Sequence, residues 1–136
     1  MEGSVSEAEM RLLKSRRSME AATVLYRMAY YDECVSRAYY ALFYCIKALF
    51  AQDGIRANEP STMLHALGNN YVSHAKLEPC YHKGAFQVFD IRFRVEYEPH
   101  GFCGIDQARF ALESASVVIN EIRTCLLHSI QGKVNL

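Results

Sequence analysis

Arg92 and Glu96 are residues whose types and spacing could do chemistry. Stepped at about 100° per residue, Val88, Phe89, Phe93 and Val95 make one apolar side of a helix, and Arg92 and Glu96 fall in the middle of it. Arginine enters an apolar stripe when it is paired or when it works on an anion. Glu96, one turn further on, is placed to pair with it. The same guanidinium, with Tyr97 and Arg37, could instead contact a phosphate or a nucleotide. In a second helix Arg37 shares a side with Tyr40 and Tyr44, a face able to clasp a nucleotide or a partner helix. Tyr39, Tyr40 and Tyr44 could stack on bases, since every base has a π-face. Tyrosines at helical spacing are more often core or interface residues. A structural ion pair is therefore the simpler reading of Arg92, with phosphate contact second.

The other reactive residue types are scattered. His65, His74, His82 and His128 show no HxxxH or HExxH spacing, so no metal site is expected. The five cysteines (Cys34, Cys45, Cys80, Cys103 and Cys125) include no CxxC pair, which argues against zinc and against a disulfide framework. No glycine-rich phosphate loop is present, and no cofactor is expected. Free thiols and a polar N-terminus point to a reducing cytoplasm. The apolar run from Ala38 to Ile46 is cut by Lys47 and is too short to span a bilayer, so no membrane role is expected.

Fifteen basic and fifteen acidic residues leave a formal net charge of zero. Such a balance argues against holding duplex nucleic acid by bulk electrostatics. Arg11, Lys14, Arg16 and Arg17 cluster locally, and read best as a solvated helix face. At 136 residues, 51% hydrophobic and 22% charged, the chain is sized for a single domain with one core.

The positioning elements read as helices throughout. Ser6 and Glu9 have capping-box spacing and open a first helix, whose core face is expected to be Ala21, Val24, Leu25 and Met28. A turn over 29–32 leads into a second helix ending near Asp53-Gly54. That helix has a broad stripe of Val35, Ala38, Tyr39, Leu42, Cys45, Ile46, Leu49 and Phe50. Its other side carries Arg37, Tyr40, Ala41, Tyr44 and Ala48. A helix apolar nearly all round must be covered twice, and a second copy of the protein or a bound partner is the expected second cover. Ser61, after Pro60, can cap a short third helix through about Tyr71. A fourth helix is expected over Gly84–Tyr97, stopped by Pro99. A fifth runs from Asp106 to about Gln131 on a stripe from Ala108 to Ile130. The expectation is an all-α, up-and-down bundle of four main helices plus a short one, with its core at about 7–130.

The run YYDECVSRAYYALFYCIKALFAQDG (30–54) resembles the signature helix of the HEPN domain family, in its small stand-alone prokaryotic branch. Asp90-Ile91-Arg92-Phe93-Arg94-Val95-Glu96-Tyr97 is similar to that branch's second motif, with Val95-Glu96 standing where relatives carry alanine and aspartate. The resemblance covers about Glu7 to Ile130. It implies a compact helical bundle, commonly a homodimer, acting as partner of a minimal nucleotidyltransferase in a toxin–antitoxin-type pair. It also implies nucleotide or RNA binding in some members and metal-independent ribonuclease activity in others, the latter through an R-x(4–6)-H motif. Arg94 and His100 match that spacing. Histidine could move the 2′-hydroxyl proton while arginine steadies charge on the phosphate. Helical projection turns Arg94 toward solvent, and Pro99 separates His100 from the helix. The remaining reading is an interaction module without catalysis.

Overall fold

The computed structural model describes residues 6–100 and 103–134, with side chains described to residue 132. Among the described residues five α-helices follow one another: α1 (Glu7–Arg27), α2 (Tyr31–Asp53), α3 (Pro60–Leu67), α4 (Pro79–Tyr97) and α5 (Ile105–Val134). No strand occurs among the described residues. A π-helical turn, Gly68–Val72, extends α3. Ser6 caps α1 by accepting the Glu9 N–H at 3.1 Å, and Gly54 closes α2 at φ +71°, a conformation that glycine adopts without cost.

Two helix starts differ from the sequence expectation, for one reason. Pro60 and Pro79 each stand in the first turn of a helix, so α3 begins before Ser61 and α4 begins at Pro79 rather than Gly84. Proline has no N–H to lose there and its φ suits the first turn. Thr62 Oγ1, not Ser61, bonds the N-cap, donating to the Glu59 carbonyl at 2.9 Å.

α2 is the axis of the fold. Leu42, Ile46 and Leu49 of α2, Met63 and Leu67 of α3, Val88 of α4, and Ile122 and Leu126 of α5 are all essentially fully buried. The second cover of α2 is α1 of the same chain, which corrects the expectation of a second copy or partner in that place. The α1 face also differs from expectation: Val24 and Met28 are exposed, and α1 instead buries Ala8, Ser15, Ser18 and Ala22. The side of α2 it meets is lined by Ala41 and Ala48, both fully buried. Facing alanines let two helices approach closely, and small residues then fit best. Ser15 Oγ settles its burial by donating to the Ala41 carbonyl at 2.6 Å.

On α5 the buried stripe comprises Ala108, Ala111, Ala115, Val118, Ile119, Ile122, Cys125 and Leu126, whereas Leu112 is only partly buried and Ile130 is exposed. Phe93, expected on the apolar side of α4, lies outside and packs on the Tyr97 ring at 4.7 Å.

Candidate functional site

The C-terminal half of α4 lies beside the N-terminal half of α2, and most of the candidate residues gather there. Arg92 is turned inward, its side chain 18% exposed, with Nη2 at 2.5 Å from Glu96 Oε2. Its guanidinium carbon stands 4.6 Å from the Tyr39 ring centroid and 5.8 Å from that of Tyr40. Arg37 approaches Tyr40 as well, at 5.1 Å. Tyr40 thus has a guanidinium from each of two helices against its ring, an arrangement favoured by the ring quadrupole.

Tyr39 is buried, edge-on to Phe89 at 5.0 Å. Burial pushes its phenol pKa up, and the Arg92 charge opposes that rise. Arg92 Nε is buried and has no hydrogen-bond partner. The pair with Glu96 therefore leaves one donor of this guanidinium unanswered.

The aromatic row continues along α2. Tyr44 stacks on Tyr40 at 6.0 Å, Lys14 of α1 stands 5.5 Å from the Tyr44 ring, and Lys47 stands 5.8 Å from Phe43. Cations from three helices therefore sit against half-buried rings along the rim where α1 and α4 flank α2. Lys14, expected on a solvated face, reaches the Tyr44 ring from α1, a contact between helices that leaves no local spacing signal, whereas Lys47 and Phe43 are one turn apart on α2.

Arg94 takes a different course. It is exposed, pairs with Asp90 at 3.0 Å, and lines a cleft of about 240 Å³ together with His100, Glu98 and Cys103. Arg94 and His100 thus border one cleft although Pro99 ends the helix between them. Asp32, at the start of α2, holds the segment beyond α4 by accepting the Cys103 N–H at 2.9 Å. Sequence gave no hint of that long-range anchor. Burial, then Asp32, pushes the Cys103 thiol up to about 12. A neighbouring cleft of about 520 Å³ holds Arg37, Glu96, Asp32 and Glu33, and meets the first at Val95. Tyr97 stays exposed against Phe93, apart from the Arg92–Tyr40 cluster. The described residues contain no group of three or more histidine, cysteine or acidic side chains able to hold a metal. No described helix is long and apolar enough to cross a membrane.

This helical arrangement agrees with a family model, the HEPN domain, that matches residues 8–125. The chain belongs to the HEPN domain family. A Methanocaldococcus jannaschii protein named "Putative toxin MJ0142" is 26% identical over 121 residues, covering 89% of this HEPN chain and 82% of the relative. A second protein of that organism, "Putative toxin MJ0605", is 25% identical over 80 residues, 59% of this chain and 60% of its own length. The Gloeobacter violaceus "UPF0332 protein glr0978" is 26% identical over 84 residues, 62% of this chain and 67% of the relative.

Proposed function

We propose that this HEPN protein is the helical member of a toxin–antitoxin-type pair, cytoplasmic and homodimeric, with a minimal nucleotidyltransferase as its partner. Its α2–α4 face binds a nucleotide or RNA through phosphate. The toxin context is supported by the family and by the printed names of two relatives. The binding half rests on one observation: Arg92 Nε is buried without a hydrogen-bond partner, beside two tyrosine rings. A buried donor left unsatisfied costs about 1–3 kcal/mol, and an incoming phosphate oxygen would recover that cost.

Fluorescence titration of labelled RNA and of a labelled adenine nucleotide at low salt tests the binding. Saturable binding to either, weakened at least tenfold by Arg92→Ala, is expected; flat titrations reject it. The pairing is tested by expressing the chain alone and then together with a nucleotidyltransferase encoded beside it. Growth arrest relieved by the second protein is expected. Unchanged growth in the first case removes the toxin reading.

A second reading, metal-independent ribonuclease activity, is favoured by Arg94 and His100 lining one cleft. It requires RNA cleavage in EDTA that is lost in both Arg94→Ala and His100→Ala. Cleavage that survives both substitutions clears these residues of a catalytic role.

A further inference from the structure

α2 ends on a residue that its own helix disfavours. Asp53 stands in the last turn, where the negative end of the helix dipole opposes a carboxylate. Two hydroxyls from distant segments converge on it. Tyr71 Oη donates to Oδ2 at 2.5 Å, and Ser129 Oγ donates to Oδ1. An ionised carboxylate accepts about four hydrogen bonds, so these two leave capacity unused.

Asp53 lines a cavity of about 560 Å³ together with Tyr71, Ala75, Lys76, Cys125 and His128, a size typical of small-molecule sites. About 24 Å of helix separates it from Arg37, so it is a different place from the α2–α4 site. The backbone beside it breaks local rules twice. Gly68–Val72 is π-helical, and Ala75 holds φ +57°, a left-handed conformation costly for alanine. Both kinds of irregularity gather at functional sites.

The charges on the wall select the ligand. Asp53 supplies an anion. Lys76 supplies an exposed ammonium that makes no ion pair among the described residues. The Cys125 thiol is already engaged, donating to the Lys76 carbonyl at 3.1 Å and fixing the backbone that carries that ammonium. Two fixed charges of opposite sign on one cavity, with Ala75 and the Tyr71 ring as apolar wall, complement a molecule carrying both signs itself.

We propose that this cavity binds a small zwitterion of amino-acid or dipeptide size, its ammonium on Asp53 and its carboxylate on Lys76. The site lies at the other end of α2 from the proposed nucleotide-binding face. Isothermal titration of the full-length protein with a panel of L-amino acids and dipeptides tests it, with ethylamine and acetate as single-charge probes. Saturable binding of at least one zwitterion is expected, weakened at least tenfold by Lys76→Ala and by Asp53→Asn, with neither single-charge probe matching it. Lys76 is exposed, so its variant keeps the fold and isolates binding from stability, which circular dichroism verifies. Absence of saturable zwitterion binding, binding indifferent to Lys76→Ala, or equal binding of acetate or ethylamine overturns the proposal. In the first case the Tyr71–Asp53–Ser129 contacts only tie three segments together.

Discussion

On the side of α2 that meets α5, Leu42, Cys45, Ile46 and Leu49 are buried to the last few atoms, and the Cys45 thiol donates to the Ile119 carbonyl at 3.8 Å. On the side that meets α1, the fully buried residues are Ala41 and Ala48, and the contact is sealed by a serine hydroxyl on a backbone carbonyl. Large aliphatic side chains interdigitate and exclude water by volume. Alanines and serines exclude it by letting the helices close up. The thin side cannot hide large rings, so Tyr40 and Tyr44 remain half-buried at its rim, where Lys14, Arg37 and Arg92 find them. The partial exposure of Tyr40 and Tyr44 follows from the small residues with which α1 meets α2.

Substitutions that exchange the two packing modes break this contrast most sharply. Leu49→Ala opens a cavity on the thick side and is expected to lower unfolding free energy by about 2–5 kcal/mol, read by denaturant titration. A loss below about 1 kcal/mol would mean that α5 collapses onto the gap. Ala48→Leu forces bulk into the thin side, with an expected cost of about 1–3 kcal/mol. A stabilised variant would instead reveal unfilled space between α1 and α2.

Alkaline pH probes the thick side through its thiols. Burial pushes Cys45 up to about 12 and Cys34 up to about 11, from an ordinary value of 9.0. Raised acids of this kind hold the unfolded chain's advantage in check below pH 9, since both states are then protonated. As pH climbs from 9 toward 12 the unfolded chain ionises first, and stability falls. Melting temperature should be flat from pH 7 to about 8.5 and then decline, with a shallower decline in Cys45→Ala. An identical slope in that variant would exclude Cys45 as a source.

The two arginines of α4 sharpen the comparison at smaller magnitude. Arg92→Ala removes two ring contacts and leaves Glu96 unpaired, an expected loss of about 1–2 kcal/mol. Arg94→Ala breaks an exposed pair and should shift stability by no more than about 0.5 kcal/mol. Equal losses, measured side by side in urea, would erase the distinction between an inward and an outward guanidinium.

Helical period made much of this readable beforehand. The α2 stripe, the Gly54 stop and the Ser6 cap stand where local signals put them. Arg92 inside the apolar side of α4, with Glu96 a turn away, follows from counting residues. Val24 and Met28 were misleading because bulk on α1 suggests a core, while the alanine face opposite has room only for Ser15, Ser18 and Ala22. Phe93 was misleading in the same way, its ring finding Tyr97 on the outside instead of the core.

Period alone determined which residues share a side of each helix, and with the caps it determined where α1 opens and where α2 closes. Only the tertiary structure decided that α1 is the second cover of α2, that Asp32 holds Cys103, and that Tyr71 and Ser129 meet on Asp53. The physical reason is the range of the forces involved. A backbone hydrogen-bond ladder and its caps are settled within a few residues, whereas the pairing of faces is settled by competition for buried area across the whole chain.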